Sequence, residues 1–538
     1  MSAEALSSSG RLRPLQLSDA AFIAVIVGWL VAASLGDVFA DRIFPFDSAL
    51  IAANGGLFQA LFSDLGRFAA APVDWLWGYY EQYPALSVRR HPPLFGFVSG
   101  IVYSIMGVST TAAKLTVMLF GVAFAVGAYA VARKALDGRL PAFCAALLIV
   151  ATPQIGIHFY SVWLDIPSLA FAIWVFYFYL CRLEGDQSLK TVLGMVIFSV
   201  LALYTYQPTV VLLAGPFLHL LLREWRTLFT DRNMLIGAAL LVVLMLPLAA
   251  FTLHFAQDNL QITTGEMPDE WQEFASPTYA DWMVRDKLSF AYWAEYGRMM
   301  VVSAPVQSVA VVLWLGLLFV RRPRPADVVM FTSFLVTYLA FSWLLVKGHR
   351  YLLYMLIPAS VLAASVVYDL CNRFAARGSR RIPVAAIALV VIAVVQAVAV
   401  PPWAPYTYLS GLERPISAIL DENPDARILY SGRGDAGFVF YLRSLDIERR
   451  AQVQRASVQV SQPDELDAFL ADYDADYLVL EASNPGYDTL EIMDQFRDSI
   501  LARMQTSSDY AAPAVYELPY GVDEPEGYVT LHVYRRQR

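Results

Sequence analysis

The sequence predicts a polytopic α-helical membrane protein with a small α/β domain outside the membrane at its C-terminal end. Of the 538 residues, 57% are hydrophobic and only 16% are charged, and the mean hydropathy is +0.49. A soluble protein of this length is less apolar. Up to about position 400 the apolar residues form long runs, whereas the remainder of the chain is rich in charged residues.

Charge and cysteine content narrow the functional classes. The formal net charge is −8 and the basic residues are dispersed, so no nucleic-acid partner is indicated. The three cysteines, Cys144, Cys181 and Cys371, lie in or beside apolar runs. A disulfide framework is therefore not predicted.

Long apolar runs predict the individual membrane crossings, because about 20 residues of helix span a bilayer. The first run, Ala20–Ala40, ends in Val38-Phe39-Ala40, which resembles the cleavage site of a signal peptide. Its length favours an uncleaved helix instead. Further crossings are predicted at 113–133, 140–157, 166–182, 191–204, 208–222, 234–255, 305–320, 327–345, 351–371 and 382–400.

The run at 93–108 is short and glycine-rich, and the basic residues decide its interpretation. Basic residues collect in cytoplasmic loops. The basic connections of this chain are all cytoplasmic only if 93–108 does not cross the membrane but forms a juxtamembrane helix on the outer surface. About eleven crossings then remain. The cytoplasmic tail is then 1–19, and the outer loops are 41–112 and 256–304. The basic connections are Arg133–Arg139, Arg182–Lys190, Arg223–Arg232, Arg321–Arg324 and Arg373–Arg381.

The end of the chain predicts a separate α/β domain, 401–538, after the membrane domain 20–400. Short β-like runs at Arg427–Tyr430 and Tyr477–Leu480 alternate with helical patterns near 464–473 and 489–504. This alternation is typical of α/β domains. The linker is marked by Pro401, Pro402 and Pro405.

Two carboxylates lie at predicted outer ends of apolar helices. Asp47 follows the first helix, and Asp165 opens a later one beside Tyr160 and Trp163, which fit an interfacial aromatic belt. Acids next to hydrocarbon are costly, so both are candidate catalytic residues. The alternative is that each is a helix N-cap, with Pro167 in the first turn of the second helix.

Two basic clusters also lie on the predicted outer side, where basic residues are depleted. One is Arg89-Arg90-His91, directly before the juxtamembrane helix, and the other is Lys347 with His349 and Arg350. Arginine, lysine and a helix N-terminus favour a phosphate or pyrophosphate ligand. Interfacial anchoring of the first cluster and snorkelling of the second are the alternatives.

Aromatic residues near these clusters are candidates to line a substrate site. Tyr204 and Tyr206 lie in a short predicted outer turn, and Tyr351 follows the second basic cluster. Interfacial tyrosines alone also explain this pattern.

The sequence does not indicate a metal or a soluble nucleotide donor. His158, His219 and His254 lack the spacing of metal ligands, so no metal is assigned, although a divalent metal is left open. A glycine-rich nucleotide loop and a Ser-His-Asp signature are absent from the sequence. This argues against a cytosolic nucleotide donor and against acyl transfer.

The order of these motifs resembles the GT-C class of integral-membrane glycosyltransferases, in particular the lipid A aminoarabinose transferases and the protein O-mannosyltransferases. The resemblance covers roughly residues 15–400 and implies a GT-C-like membrane domain. His91-Pro92-Pro93-Leu94 stands as in the O-mannosyltransferases. Asp47 matches the acid of the first loop, although Ser48 follows where the family often has a second acid.

The resemblance also implies roles for the remaining candidates. Asp47 would be the general base or would position the acceptor, and Asp165 would be the acid of the second outer loop. Lys347, His349 and Arg350 would hold the donor phosphate. The implied activity is transfer of a sugar from a polyprenyl-phosphate carrier on the outer face of the bacterial cytoplasmic membrane. Our hypothesis is that the transfer inverts the anomeric carbon. The acceptor, whether a lipid, a glycan or a protein, is left open. A lipid transporter or flippase and a non-catalytic envelope assembly protein are the alternatives.

Overall fold

The computed structural model describes residues 17–43, 47–136, 138–255, 289–320, 322–344, 348–374, 381–402, 407–432, 434–456, 473–483, 498, 500–504, 507–521 and 525–537. These residues form a helical bundle and one mixed β-sheet. The predicted fold class, a helical membrane protein with a C-terminal sheet domain, is confirmed.

The first half of the chain is almost entirely helical. Its elements are α1 (Leu17–Phe39), β1 (Arg42–Ile43), α2 (Asp47–Ser63), α3 (Leu65–Ala70), α4 (Pro72–Gln82), α5 (Leu94–Met106), α6 (Thr110–Ala135), α7 (Arg139–Val150), α8 (Pro153–Gly156), α9 (Asp165–Leu183), α10 (Leu189–Thr205), α11 (Val210–Thr230) and α12 (Arg232–His254). The segment between α1 and α6, residues 40–109, is called the α1–α6 connection below.

The second half completes the bundle and then forms most of the sheet. Its elements are α13 (Phe290–Ser303), α14 (Pro305–Leu317), α15 (Pro325–Trp343), α16 (Leu352–Phe374), α17 (Arg381–Ala399), β2 (Tyr408–Ser410), α18 (Glu413–Glu422), β3 (Arg427–Ser431), α19 (Asp435–Leu445), β4 (Gln452–Arg455), β5 (Tyr477–Ser483), β6 (Ala514–Gly521) and β7 (Pro525–Arg535). Short 3-10 turns at Ile157–Phe159, Gln207–Thr209 and His349–Tyr351 precede α9, α11 and α16.

Among the described helices, six are long and apolar enough to cross a membrane, namely α1, α6, α9, α12, α15 and α16. Two bent pairs could each be one broken span. One is α7 with the Pro153–Phe159 segment, bent by 67°, and the other is α13 with α14, bent by 117°. Helices α5 and α10 and residues Ile387–Ala399 of α17 are apolar but shorter. The count of about eleven crossings stays a prediction.

Helix α5, in the ambiguous run at 93–108, has 13 residues and is therefore about 20 Å long. It packs closely against α2 because glycines replace side chains where the two backbones meet. A Cβ atom at Gly100 would lie 2.5 Å from the Cβ of Phe58 and 3.0 Å from the backbone nitrogen of Gln59. A Cβ at Gly55 would lie 2.5 Å from the Tyr103 ring. This contact fixes α5 on α2.

The sheet has seven strands in the order β1-β2-β6-β7-β5-β3-β4. The predicted β-like runs are β3 and β5, which are parallel to each other, and β3 is also parallel to β4. The remaining pairs are antiparallel. Strand β1 comes from the α1–α6 connection, so the C-terminal segment does not build the sheet alone. The boundary at 401 stays a prediction.

Several predicted features lie partly or wholly outside the described residues. Of the predicted outer loop 256–304, residues 256–288 are outside, and α13 occupies its end. Of the two helical patterns, 464–472 and 489–497 are outside, while 500–504 are helical. Pro405 of the linker is also outside.

The turn between β3 and α19 is filled by a carboxylate from β5. Oε1 of Glu481 accepts hydrogen bonds from the Tyr430 hydroxyl at 2.5 Å and the Gly434 backbone N–H at 2.6 Å. Glu481 is only 3% exposed, and a Cβ atom at Gly432 would lie 2.5 Å from its Cδ. The carboxylate therefore occupies the anion position at the N-terminus of α19.

Replacement of Gly100 by alanine should destabilise the protein by about 1–3 kcal/mol, because the added methyl group must displace the backbone of α2. The control is Gly78→Ala in α4, where no atom lies within 4 Å of the new Cβ. That change should stabilise the protein by roughly 0.5–1 kcal/mol through helix propensity. Thermal unfolding in detergent measures both. Melting temperatures that shift in the same direction in both variants would contradict the close contact between α5 and α2.

Replacement of Glu481 by alanine should lower the free energy of unfolding of the protein. The Tyr430 hydroxyl and the Gly434 N–H lose their acceptor, at about 1–3 kcal/mol for each buried donor left unsatisfied. Glu517→Ala, at an exposed position on β6, is the matched control. Equal melting temperatures for the two variants would argue against the structural role of Glu481.

Candidate active site

Arg350 is at the centre of the candidate site, in the 3-10 turn that precedes α16. Its guanidinium carbon lies 4.7 Å from the ring centroid of Trp163, 5.3 Å from that of Tyr351 and 5.8 Å from that of Tyr206. Aromatic faces attract a planar cation and restrict its orientation. The Arg350 side chain is nevertheless 22% exposed, so a ligand can reach it.

Asp47 is the first residue of α2 and approaches Arg350. Its Oδ2 lies 4.0 Å from Nη1 of Arg350, which is a long ion pair. The Asp47 side chain is 43% exposed. Asp47 is thus near the cation and open to a second molecule.

Asp165 is the first residue of α9 and is fully buried. The charge of Arg350 acts on it, and the Tyr354 side chain lies beside it. Within the described structure, neither carboxylate oxygen accepts a hydrogen bond of normal geometry. The N-cap position of α9 is Leu164, with no side-chain cap. The carboxylate of Asp165 therefore does not cap this helix.

The loop that carries the first basic cluster is tied to α2 through Asn54. Nδ2 of Asn54 donates to Oγ of Ser87 at 2.8 Å, and the Ser87 N–H donates to Oδ1 of Asn54 at 3.0 Å. The Ser87 carbonyl in turn accepts the N–H groups of Arg90 and His91, each at 2.9 Å. These bonds fix the backbone of the cluster relative to the helix that begins with Asp47.

His91 faces the group around Arg350. Its ring lies edge-on to Tyr206, with 6.0 Å between the centroids. Burial lowers the pKa of His91 to about 4, while Asp47 raises it and Arg350 and Arg90 lower it. The imidazole is therefore neutral at pH 7, unlike the cation that a phosphate-binding cluster would supply.

The other predicted residues are less closely associated with this group. Arg89 and Arg90 are exposed. His349 lies near His158. Tyr204 points towards α12, where its hydroxyl donates to the Leu244 carbonyl at 2.9 Å. Lys347 lies outside the described residues. The structure thus brings together Asp47, His91, Asp165, Tyr206, Arg350 and Tyr351.

Sequence reasoning did not single out several residues that support this site. Trp163 was interpreted only as interfacial, although it packs on Arg350. Tyr354, one helical turn after Arg350, is fully buried and lies 3.5 Å from the hydroxyls of both Ser168 and Thr209. The i, i+4 spacing of Arg350 and Tyr354 was an available signal. Asn54 had no such signal, since its partner is distant in sequence.

No metal site is evident in the described part of the chain. Among the described residues, no three His, Cys, Asp or Glu side chains are grouped so that they could hold a metal ion. The two acids of the site both lie near a guanidinium instead.

Comparison with known proteins gives a fold and a partial match to one family. Residues 90–251 match the dolichyl-phosphate-mannose-protein mannosyltransferase family, and this segment includes His91, Asp165 and Tyr206. The match covers less than half of the chain. No curated protein matches the sequence.

Solved structures resemble nearly the whole chain. ArnT from Cupriavidus metallidurans in the apo state has a TM-score of 0.58 at 13% identity, over 96% of this chain and 98% of its own. The fold is that of the GT-C membrane glycosyltransferases. The arabinofuranosyltransferase AftD from Mycobacteria has a TM-score of 0.56 at 14% identity, over 98% of this chain and 40% of its own.

The chain is also similar in fold to an oligosaccharyltransferase from Archaeoglobus fulgidus, solved in complex with zinc and sulfate. The TM-score is 0.55 at 13% identity, over 95% of this chain and 74% of the other. The TM-scores establish a similar fold. At identities this low they do not establish the chemistry, which has to be argued from the residues of the site.

The lowered pKa of His91 predicts that the stability of the protein depends on pH. The unfolded chain takes up a proton near pH 6.5 and the folded protein only near pH 4. The contribution of His91 to the free energy of unfolding is thus fully present above pH 6.5 and is lost as the pH falls towards 4. Thermal unfolding across this range should show wild type losing stability relative to His91→Gln. Parallel curves for the wild type and His91→Gln would contradict this prediction, and His254→Gln, at an exposed helix end, controls for the removal of an imidazole.

Proposed function

We propose that the protein transfers a sugar from a polyprenyl-phosphate carrier to an acceptor on the outer face of the bacterial cytoplasmic membrane, with inversion at the anomeric carbon. The observation that carries the proposal is the Arg350 guanidinium, held by aromatic rings near Asp47 and Asp165. ArnT from Cupriavidus metallidurans, whose fold is similar, has been solved bound to undecaprenyl phosphate, with a TM-score of 0.57 to this chain. This supports a polyprenyl-phosphate donor.

Arg350 is the proposed contact for the phosphate of the donor. A guanidinium presents parallel N–H groups that match two phosphate oxygens. Negative charge develops on the phosphate as the sugar leaves, and a cation fixed in advance stabilises that charge. Arg89, Arg90, Lys347 and His349 are further candidates for this anion. His91 would contribute a hydrogen bond to the phosphate.

Asp47 is the proposed general base because it is partly exposed and lies at the edge of the cationic group. The acceptor oxygen forms a bond to the anomeric carbon, and the bond from that carbon to the phosphate oxygen breaks. The phosphate keeps the electron pair, and the acceptor proton passes to Asp47. A bound phosphate would also compete with Asp47 for Arg350, which leaves the carboxylate freer to accept the proton.

Asp165 and the tyrosines have supporting roles in this proposal. Asp165 adds a buried negative charge near Arg350 and so helps to hold the cation in a surrounding of low polarity. Tyr206 and Tyr351 pack beside the guanidinium and present aromatic faces to the sugar or the isoprenoid. The contact of Tyr204 with Leu244 favours a structural role for Tyr204 instead.

Substitutions at Asp47 and at Arg350 should each lower the rate of sugar transfer. Asp47→Asn should lower kcat by about 10²-fold or more, as expected for loss of a general base. Arg350→Lys keeps the charge but loses the planar stacked group, and about a 10²–10³-fold loss of kcat is expected. Transfer of radiolabelled sugar from a synthetic polyprenyl-phosphate donor by purified protein in nanodiscs is the measurement.

The control for these substitutions is Asp74→Asn, an exposed acid on α4, which should leave turnover unchanged. Full activity in both Asp47→Asn and Asp165→Asn would refute the proposed site. Flux of lipid-linked sugar across liposomes without product would identify a transporter, and acceptor binding that survives loss of both acids would indicate an assembly protein.

A further inference from the structure

The elements from β2 to β7, called the sheet domain below, contact the α1–α6 connection at both edges of the sheet. At one edge, β1 of the connection pairs with β2. At the other edge, the end of α4 covers β4. Nε2 of Gln82 donates to the carbonyls of Arg449 at 2.6 Å and Ala451 at 2.9 Å, and Arg455 donates to the Pro84 carbonyl at 3.3 Å. The connection thus reaches across the whole sheet.

Side chains at the end of α19 and in the turn after it bind the same connection. The Tyr83 hydroxyl donates to Oδ2 of Asp446 at 2.7 Å. Arg449 forms an ion pair with Asp64, with 2.7 Å between Nη1 and Oδ2. Asp446 is only 6% exposed, so the bond to Tyr83 is shielded from water.

Arg443 of α19 adds a third contact, to α2 itself. Its guanidinium donates to Oε1 of Gln59 and lies 5.7 Å from the ring centroid of Tyr83. Arg443 is 5% exposed. The bond Tyr83–Asp446, the ion pair Asp64–Arg449 and the contact Gln59–Arg443 are together called the latch.

The elements held by the latch are those that carry part of the candidate site. Helix α2 contacts the latch through Gln59 and begins with Asp47. Tyr83 starts the loop that leads to His91, and Ser87 in that loop is bound to Asn54 of α2. The contacts of Arg350 described above involve Asp47, Trp163, Tyr206 and Tyr351 and no latch residue. The effect of the latch on Asp47 and His91 is therefore one of position.

We infer that the sheet domain is a positioning element for the proposed transfer reaction, and that Arg443, Asp446 and Arg449 set the places of Asp47 and His91 relative to Arg350. This inference rests on the proposed function and extends it to residues outside the site. Removal of a latch contact lets the connection shift, and a displacement of about 1 Å at reacting groups can cost up to about 100-fold in rate.

The test uses the Asp64–Arg449 ion pair in the full-length protein. Arg449 has a positive φ of 56°, and aspartate tolerates this backbone conformation better than most residues, so Arg449→Asp is the variant. The reverse pair, Asp64→Arg with Arg449→Asp, is the rescue. Arg450→Asp is the matched control, since Arg450 pairs with Asp425 and Glu448 of the sheet domain. Tyr83→Phe, which removes one hydroxyl, is a milder second variant.

Two readouts separate this inference from the proposed function. Hydrogen exchange of residues 83–93 reports on the loop without any need for activity, and Arg449→Asp should speed it by about two- to fivefold. The value of kcat/KM for sugar transfer should fall by about tenfold, mainly in kcat. The reverse pair should restore both quantities, and the control should change neither.

The outcomes are distinct. Unchanged exchange in both Arg449→Asp and Tyr83→Phe, or an equal rise in the Arg450→Asp control, overturns the latch. Faster exchange with unaltered kcat/KM overturns its role in positioning. If the wild-type protein transfers no sugar, the proposed function fails, and exchange alone decides whether the sheet domain holds the loop.

Discussion

The candidate site depends on keeping one guanidinium charged and oriented at the edge of an apolar bundle. A buried charge is costly unless opposite charge or polarisable groups surround it. Around Arg350 these are the carboxylates of Asp47 and Asp165 and the faces of three aromatic rings. Asp47, Asp165 and Arg350 are far apart in sequence. Because the Arg350 guanidinium needs both carboxylates nearby, the start of α2, the start of α9 and the turn before α16 have to meet at this point.

Charged residues at helix ends could be found from sequence because they contrast with apolar surroundings. Asp47, Asp165 and Arg350 were predicted for this reason. Trp163 and Asn54 were not, because an aromatic ring or an amide gives no such contrast and its role depends on a partner far away in the chain. Tyr204 and Tyr206 show a related limit: α10 ends at Thr205, so the two side chains face different neighbours, and hydropathy does not fix helix ends so closely.

The fold shows the same division between local and distant information. Strands β3 and β5 follow from short apolar runs bounded by polar residues, and most long helices follow from hydropathy. Strand β1 has two residues and exists only through pairing with β2, hundreds of positions away. The packing of α5 on α2 likewise depends on glycines at matched positions in two segments. The first pairing ties the sheet to the α1–α6 connection, and neither pairing is encoded in a local pattern of a single sequence.

The carboxylate of Glu481 has a consequence for where phosphorylated molecules bind. Parallel strands followed by a glycine-containing turn and a helix N-terminus commonly form a cradle for nucleotides. In this chain the cradle already contains a covalently attached anion, held by Tyr430 and Gly434. An incoming phosphate would have to expel that group and would meet its negative charge on approach. The crevice of the sheet domain is therefore a poor site for a phosphate group.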